Sequence, residues 1–204
     1  MNAQLVDNII SAEWDMFAKV ANVGGPASCQ MNPRAFRAVR GGQLDTWTDA
    51  IGQSYLADLA AAKTTGRNLM TEKYARMMEY THPMEYTAIA HHLPPLPLSV
   101  KTLVDALVEM NIVWKEAVAQ HFPALAHKGR ALRASQDSAV ETSFETYLRG
   151  ELLTYSTNTL QLLYAHMREL RDQGKNGVEM ALHGQAVRSG FASLQEAEVA
   201  AAKG

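Results

Sequence analysis

The chain has 204 residues, of which 47% are hydrophobic and 20% charged, with a formal net charge of −2. That is enough for one large domain with a core needing no disulfide or metal staple, and the near-neutral charge gives no electrostatic footprint for nucleic acid or an anionic membrane. No apolar run approaches the roughly 18 residues that suggest a membrane span, no secretion signal is apparent, and the single cysteine, Cys29, excludes an intrachain disulfide, so a cytoplasmic protein is expected.

Ala, Leu, Met, Glu and Gln dominate over Val and Ile, and no apolar–polar alternation leads into hairpin chemistry. An all-α fold is therefore expected: one domain over residues 1–204, a bundle of about five to seven helices. The first helix should run from about Ala3 to Ala21, ended by Gly24, Gly25 and Pro26. Asn32 and Pro33 read as an N-cap and first helical residue of a second helix reaching about Lys63, with Gly41 and Gly42 as a possible kink. A third helix starts at Asn68 or Thr71 and stops before Pro83, which opens a short helix to His92. The Leu93–Leu98 segment carries three prolines and must be extended. Ser99 caps a fourth helix to about Phe122, followed by a turn-rich, basic loop from Pro123 to Ser138. A fifth helix from about Thr142 to Asp172 is apolar nearly all round and is expected at the centre of the bundle. The tail from about Gly177 reads as weakly helical and peripheral, with Ser193 and Glu196 spaced as a capping box.

Helical periodicity draws a core stripe on each long segment, and polar residues interrupt three of these stripes. Glu13 lies within Val6, Ile9, Ile10, Met16, Phe17 and Val20. Arg40 and Gln43 lie within Phe36, Val39, Trp47, Ala50 and Ile51. Glu151 lies within Phe144, Tyr147, Leu148, Tyr155 and Leu162. An uncompensated carboxylate in a core costs several kcal/mol, about a whole domain's net stability. Glu13 and Glu151 must therefore be paired, be protonated or line a solvated cavity. A structural salt bridge to Arg40 is the plainer reading. Four interruptions on three helices exceed what one ion pair needs, which favours a polar pocket. Gly150, beside Glu151, lets another backbone or a ligand approach. Tyr147, Glu151 and Tyr155 form an i, i+4, i+8 ladder able to fix a carboxylate or a substrate's polar atoms, while Glu145 and Arg149 pair on another face. On the third helix Glu72, Arg76 and Glu79 read as a solvated face and Met77 and Met78 as core filler, with Lys73 able to reach inward.

Cys29 precedes a helix N-terminus, where backbone N–H groups and the helix dipole favour a thiolate or an anion. It is either a nucleophile or a small buried residue. A base for it would have to come from His82, His91, His92 or His121. Glu79 and His82 give one copy of the Glu-x-x-His half-site of di-iron bundles, and the second copy is missing. No phosphate-binding or dinucleotide loop is present, so no cofactor is expected.

Four stretches resemble an uncharacterised bacterial family, domain-of-unknown-function family 4125: EWDMF at 13–17, GGPASCQ at 24–30, NLMTEKYARMME at 68–79 and TSFETYLRGELLTYS at 142–156. The family more often has Arg at the place of Pro26 and a shorter polar residue at that of Tyr80. The resemblance implies no established activity.

The functional expectation is a small-molecule enzyme, a lyase or hydrolase, with its pocket between the first, second and fifth helices. Glu13 or Glu151 would be general acid or base, burial raising a carboxyl's affinity for its proton. Cys29 would be nucleophile or anion cradle. Arg40, Lys73 and Arg149 would receive an acidic group, and Gln43, Tyr147 and Tyr155 would orient the substrate. The alternatives are a non-catalytic helical protein that binds a ligand or docks through Leu93–Leu98 or the tail, and a metalloprotein built on Glu13, Glu151 and a histidine. The expected partner is a small-molecule ligand, with neither nucleic acid nor membrane, and the oligomeric state is open.

Overall fold

Polar side chains fix most of the helix starts. Asn2, Asn32, Thr48, Asn68, Ser143, Ser156 and Asn176 each accept a hydrogen bond from a backbone N–H of the turn that follows, satisfying donors that the helix cannot pair itself. The computed structural model describes residues 1–21, 25 and 28–203, with the side chains of 28 and 29 left out. Among the described residues there are eleven α-helices and no strand. They are α1 (Ala3–Phe17), α2 (Pro33–Leu44), α3 (Asp49–Thr64), α4 (Leu69–Thr81), α5 (Pro83–Ile89), α6 (Leu98–His121), α7 (Pro123–His127), α8 (Phe144–Leu152), α9 (Thr157–Asp172), α10 (Gly177–Arg188) and α11 (Leu194–Lys203).

The all-helical class is as the composition predicts, but there are eleven helices rather than five to seven. Two expected long helices are each broken by a capped turn. Between α2 and α3 the chain turns so that Trp47 enters the core, and Thr48 caps α3. The expected 142–172 helix divides at residues 153–156. There Thr154 Oγ1 donates to the Glu151 carbonyl (2.7 Å), and Ser156 caps α9 while its own N–H donates to Asp58 (3.0 Å). The central, fully buried apolar row lies instead on α6, at Val104, Leu107, Val108 and Ile112. The 93–97 segment is extended as expected, and Arg76 ties it to α4 by donating to the Pro94 carbonyl (2.8 Å).

The stripes of α1 and α8 hold, but Val39 and Ala50 are exposed, because the turn at 45–48 resets the phase between α2 and α3. The face of α4 carrying Glu72 and Arg76 is buried rather than solvated. Glu72 pairs with Arg67, which donates to both of its oxygens at 2.7 Å, and not with Arg76.

The tail is an integral part of the bundle. Helix α10 lies across α2 more extensively than any other two helices touch. The two backbones meet at glycines: a Cβ on Gly42 would stand 2.4 Å from the Gln185 nitrogen and 2.6 Å from the Ala181 carbonyl, and one on Gly184 would stand 2.9 Å from the Gly42 Cα. Gly42 thus marks a helix crossing, not a kink. Arg188 clamps the crossing by donating to both carboxylate oxygens of Asp45 at 2.8 Å. Asn176 caps α10 and donates to the Trp114 carbonyl of α6 (2.9 Å). A smaller apolar cluster of Val118, Phe122, Ala186, Leu194 and Ala197 seats α11.

Because the Gly42 neighbours are backbone atoms that cannot swing aside, Gly42→Ala should destabilise the fold by about 1–3 kcal/mol. Urea unfolding would measure this, and an unchanged midpoint would disprove the close crossing.

Candidate functional site

Four charged side chains from four helices meet in the core. Arg40 on α2 donates through Nε and Nη2 to Glu13 on α1, at 2.8 and 2.5 Å, and through Nη1 to Glu151 on α8 at 2.8 Å. Lys73 on α4 donates to the other Glu151 oxygen at 2.6 Å. Arg40 Nη1 also donates to the Gln43 side-chain oxygen. Two hydroxyls complete the set, Tyr55 of α3 to Glu13 (2.8 Å) and Tyr155 to Glu151 (2.7 Å). The chain Glu13–Arg40–Glu151–Lys73 is charge-balanced, and all four residues are less than 7% exposed.

Local sequence explains why these groups can meet. Glu13, Arg40 and Glu151 sit in the apolar stripes of their helices and Lys73 at the edge of its own, so burying the stripes carries the charges inward. Gly150 admits the α4 backbone: a Cβ there would stand 2.9 Å from the Lys73 carbonyl. Lys73 Nζ also lies 3.6 Å from the centre of the Tyr147 ring, a close cation–π contact.

The electrostatics follow from mutual pairing. Burial alone would push the Glu151 carboxyl up, but the charges of Arg40 and Lys73 and the hydrogen bonds from Lys73 and Tyr155 hold it well below the ordinary carboxylate range. Burial would lower the affinity of Arg40 and Lys73 for their protons, yet the carboxylates beside them raise both above their ordinary values. Burial, reinforced by the neighbouring carboxylates, raises the Tyr55 and Tyr155 hydroxyls, which stay neutral donors. Glu151 is therefore an ionised anion, not the proton-retaining acid that burial alone would give.

A cavity of about 360 Å³ adjoins this network. It lies between α2, α6, α8, α9 and α10: the expected second and fifth helices do supply walls, as α2 and as α8 and α9, but α1 supplies none and α6 and α10 take its place. Its lining is mostly apolar, with Trp47, Trp114, Phe144, Leu148 and Met167 among the larger side chains. Gln43, Glu151 and Tyr155 belong to both the network and the cavity wall, and Tyr147 also lines the cavity. Glu13, Arg40 and Lys73 stand behind that wall. Arg149 is placed elsewhere: it pairs with Asp105 and, at 3.7 Å, with Glu145. The side chain of Cys29 lies outside the described residues.

Sequence reading missed Asn111, Trp114, Lys115, Arg130 and His166, all of which line the cavity. Arg130 falls in the basic loop, where nothing local points to a site. His166 sits at the edge of the buried α9 stripe of Leu163, Met167 and Leu170, and only the turn at 45–48 gives it a partner, the Thr46 carbonyl at 2.8 Å from Nε2. Its Nδ1 is buried without a hydrogen-bond partner. His82 contacts Thr81, the His91 and His92 rings meet at a tilt with centres 3.8 Å apart, and neither these three nor His121 lines the cavity. Arg40 separates Glu13 from Glu151, and among the described residues no three of His, Cys, Asp and Glu gather in a metal-binding cluster.

No helix among the described residues is long and apolar enough to cross a membrane. A family model described as "Protein of unknown function (DUF4125)" matches residues 3–199. Neither the curated proteins nor the solved structures contain a match.

Removing the Glu151 charge leaves Arg40 and Lys73 facing each other without their shared anion. Glu151→Gln should cost about 3–5 kcal/mol at neutral pH. Because the folded protein holds this carboxyl below its ordinary value of 4.5, its contribution is complete above that pH and is lost as pH falls. The stability gap between wild type and Glu151→Gln, measured by denaturant unfolding, should narrow in acid; a pH-independent gap would contradict the pairing.

Proposed function

We propose that this chain, which belongs to the DUF4125 family, binds a small, largely apolar molecule in the cavity enclosed by α2, α6, α8, α9 and α10. The observation that carries this reading is the pairing of an apolar cavity with one rigid polar wall. Gln43, Glu151 and Tyr155 present polar edges to the cavity while their orientation is set from behind by Arg40 and Lys73. A few fixed polar groups on an apolar lining are what a binding site for a drug-sized molecule requires, and the volume lies in the range of such sites.

The same pairing argues against Glu151 as a general acid or base. Both its oxygens accept from cations, and the bonds from Arg40, Lys73 and Tyr155 hold it ionised at neutral pH, with no proton to give and a weakened tendency to take one. Glu13 is farther from the cavity still. One observation favours a catalytic reading, a lyase or hydrolase, by another group. A carbonyl can only accept, so His166 Nε2 carries the hydrogen toward Thr46, and Nδ1 is left as an unpaired acceptor on a residue of the cavity wall. In that reading His166 moves the proton, and turnover would be lost in His166→Gln.

The binding reading is tested with the neutral fluorophore N-phenylnaphthylamine. Its emission should rise and shift to the blue on saturable binding. Ala181→Phe, which fills the cavity from α10, should weaken that binding about tenfold or more, the loss of a large apolar contact. Ala60→Phe, on the exposed face of α3, should leave it unchanged. Absence of saturable binding, or equal binding by Ala181→Phe with its helical circular dichroism intact, would refute the assignment.

A further inference from the structure

Two cations at the cavity wall lack a carboxylate. Lys115 on α6 lines the cavity beside Phe144, its Nζ 5.8 Å from the ring centre, and no Asp or Glu among the described residues comes within ion-pairing distance. Arg130 lines it beside Tyr147, its guanidinium 4.4 Å from the ring centre, and its one hydrogen bond goes to the Thr142 carbonyl (2.9 Å). Phe144 and Tyr147 are one turn apart on α8, so both cations address the same end of that helix. Among the other cations packed near the core, Arg40 and Lys73 are matched by the two buried glutamates and Arg149 by Asp105, while Arg76, away from the cavity, donates to the Pro94 carbonyl.

The lining contains one acidic residue, Glu151, and its charge is already answered by Arg40 and Lys73. The cavity therefore has a positive end without a carboxylate, half-buried at Lys115 and solvent-exposed at Arg130, beside the polar wall of Gln43, Glu151 and Tyr155 and a mostly apolar remainder. We infer that its ligand is an amphipathic organic acid, with a ring-sized apolar body among Trp114, Phe144 and Leu148 and a single anionic group held by Lys115 and Arg130. This rests on the binding reading above and names the ligand class for it. Partial burial also pulls the Lys115 ammonium below its ordinary affinity for a proton, with no acidic neighbour to restore it; a bound anion supplies the missing counter-charge.

A matched pair of competitors tests the charge alone. Naphthaleneacetic acid and naphthaleneacetamide share one apolar body and differ in the anion. At neutral pH and low salt the acid should displace N-phenylnaphthylamine at about tenfold lower concentration than the amide, the effect of one charge-assisted contact. Lys115→Met should reduce that preference by weakening the acid and sparing the amide, while Lys115→Arg should keep it. Equal displacement by acid and amide, or a Lys115→Met variant that weakens both alike, would overturn the inference while probe binding itself upholds the binding reading. Failure of the probe to bind would overturn both.

Discussion

The guanidinium of Arg40 is the point on which the rest of the molecule is registered. One planar group divides its donors between two carboxylates that are distant in sequence, Glu13 on α1 and Glu151 on α8. Because Lys73 binds the second oxygen of Glu151 and Tyr55 reaches Glu13, a single network spans α1, α2, α3, α4 and α8. A buried ion pair is weak evidence of net stability, since desolvation offsets most of its attraction. Its geometry is nevertheless demanding. Sliding α1, α2, α4 or α8 by one turn would leave a charge unpaired in the core, which costs several kcal/mol. The network thus specifies one arrangement among the many that apolar stripes alone would permit.

That constraint also shapes the cavity. With Glu13, Arg40, Glu151 and Lys73 mutually neutralised, the inner wall offers fixed dipoles rather than a free charge, and the remaining charge of the lining comes from Lys115 and Arg130. The cavity is closed by α10, which reaches it only because Gly42 and Gly184 let two helix backbones touch. A glycine-mediated crossing, a capped turn at Asn176 and the Arg188–Asp45 clamp together convert what reads as a tail into a wall. The fold and the site therefore share their determinants, and substitutions at Gly42 or Glu151 act on both.

How much of this is legible in the sequence depends on whether the signal is local. Glu13, Arg40, Gln43 and Glu151 stand out because each breaks an apolar helical period, and they do converge. Lys73 is legible as an inward-leaning residue at the edge of its stripe. The caps at Asn32 and Asn68 follow from residue type and position. By contrast, the breaks at 45–48 and 153–156 are weak in the sequence, since no glycine or proline marks them; each is stabilised by side chains from elsewhere or by a cap that resembles an ordinary helical Ser or Thr. The burial of Glu72 and Arg76 depends on Arg67 and on the extended 93–97 segment folding back over α4, neither of which periodicity describes.

The sequence by itself determined the helical class, the burial of the interrupted stripes of α1 and α8 and the identity of the charged groups that must find one another, because apolar period and the cost of an unpaired charge are properties of each segment alone. Tertiary structure decided what those groups do. It made Glu151 a doubly paired anion instead of an acid, since the sign of its shift depends on whether cations reach it before water is excluded. It also moved the cavity toward α6 and α10 and brought Lys115, Arg130 and His166 to its wall. Lys115 and Arg130 carry no local mark, and only the packing of helices separated by dozens of residues gives the three a common surface.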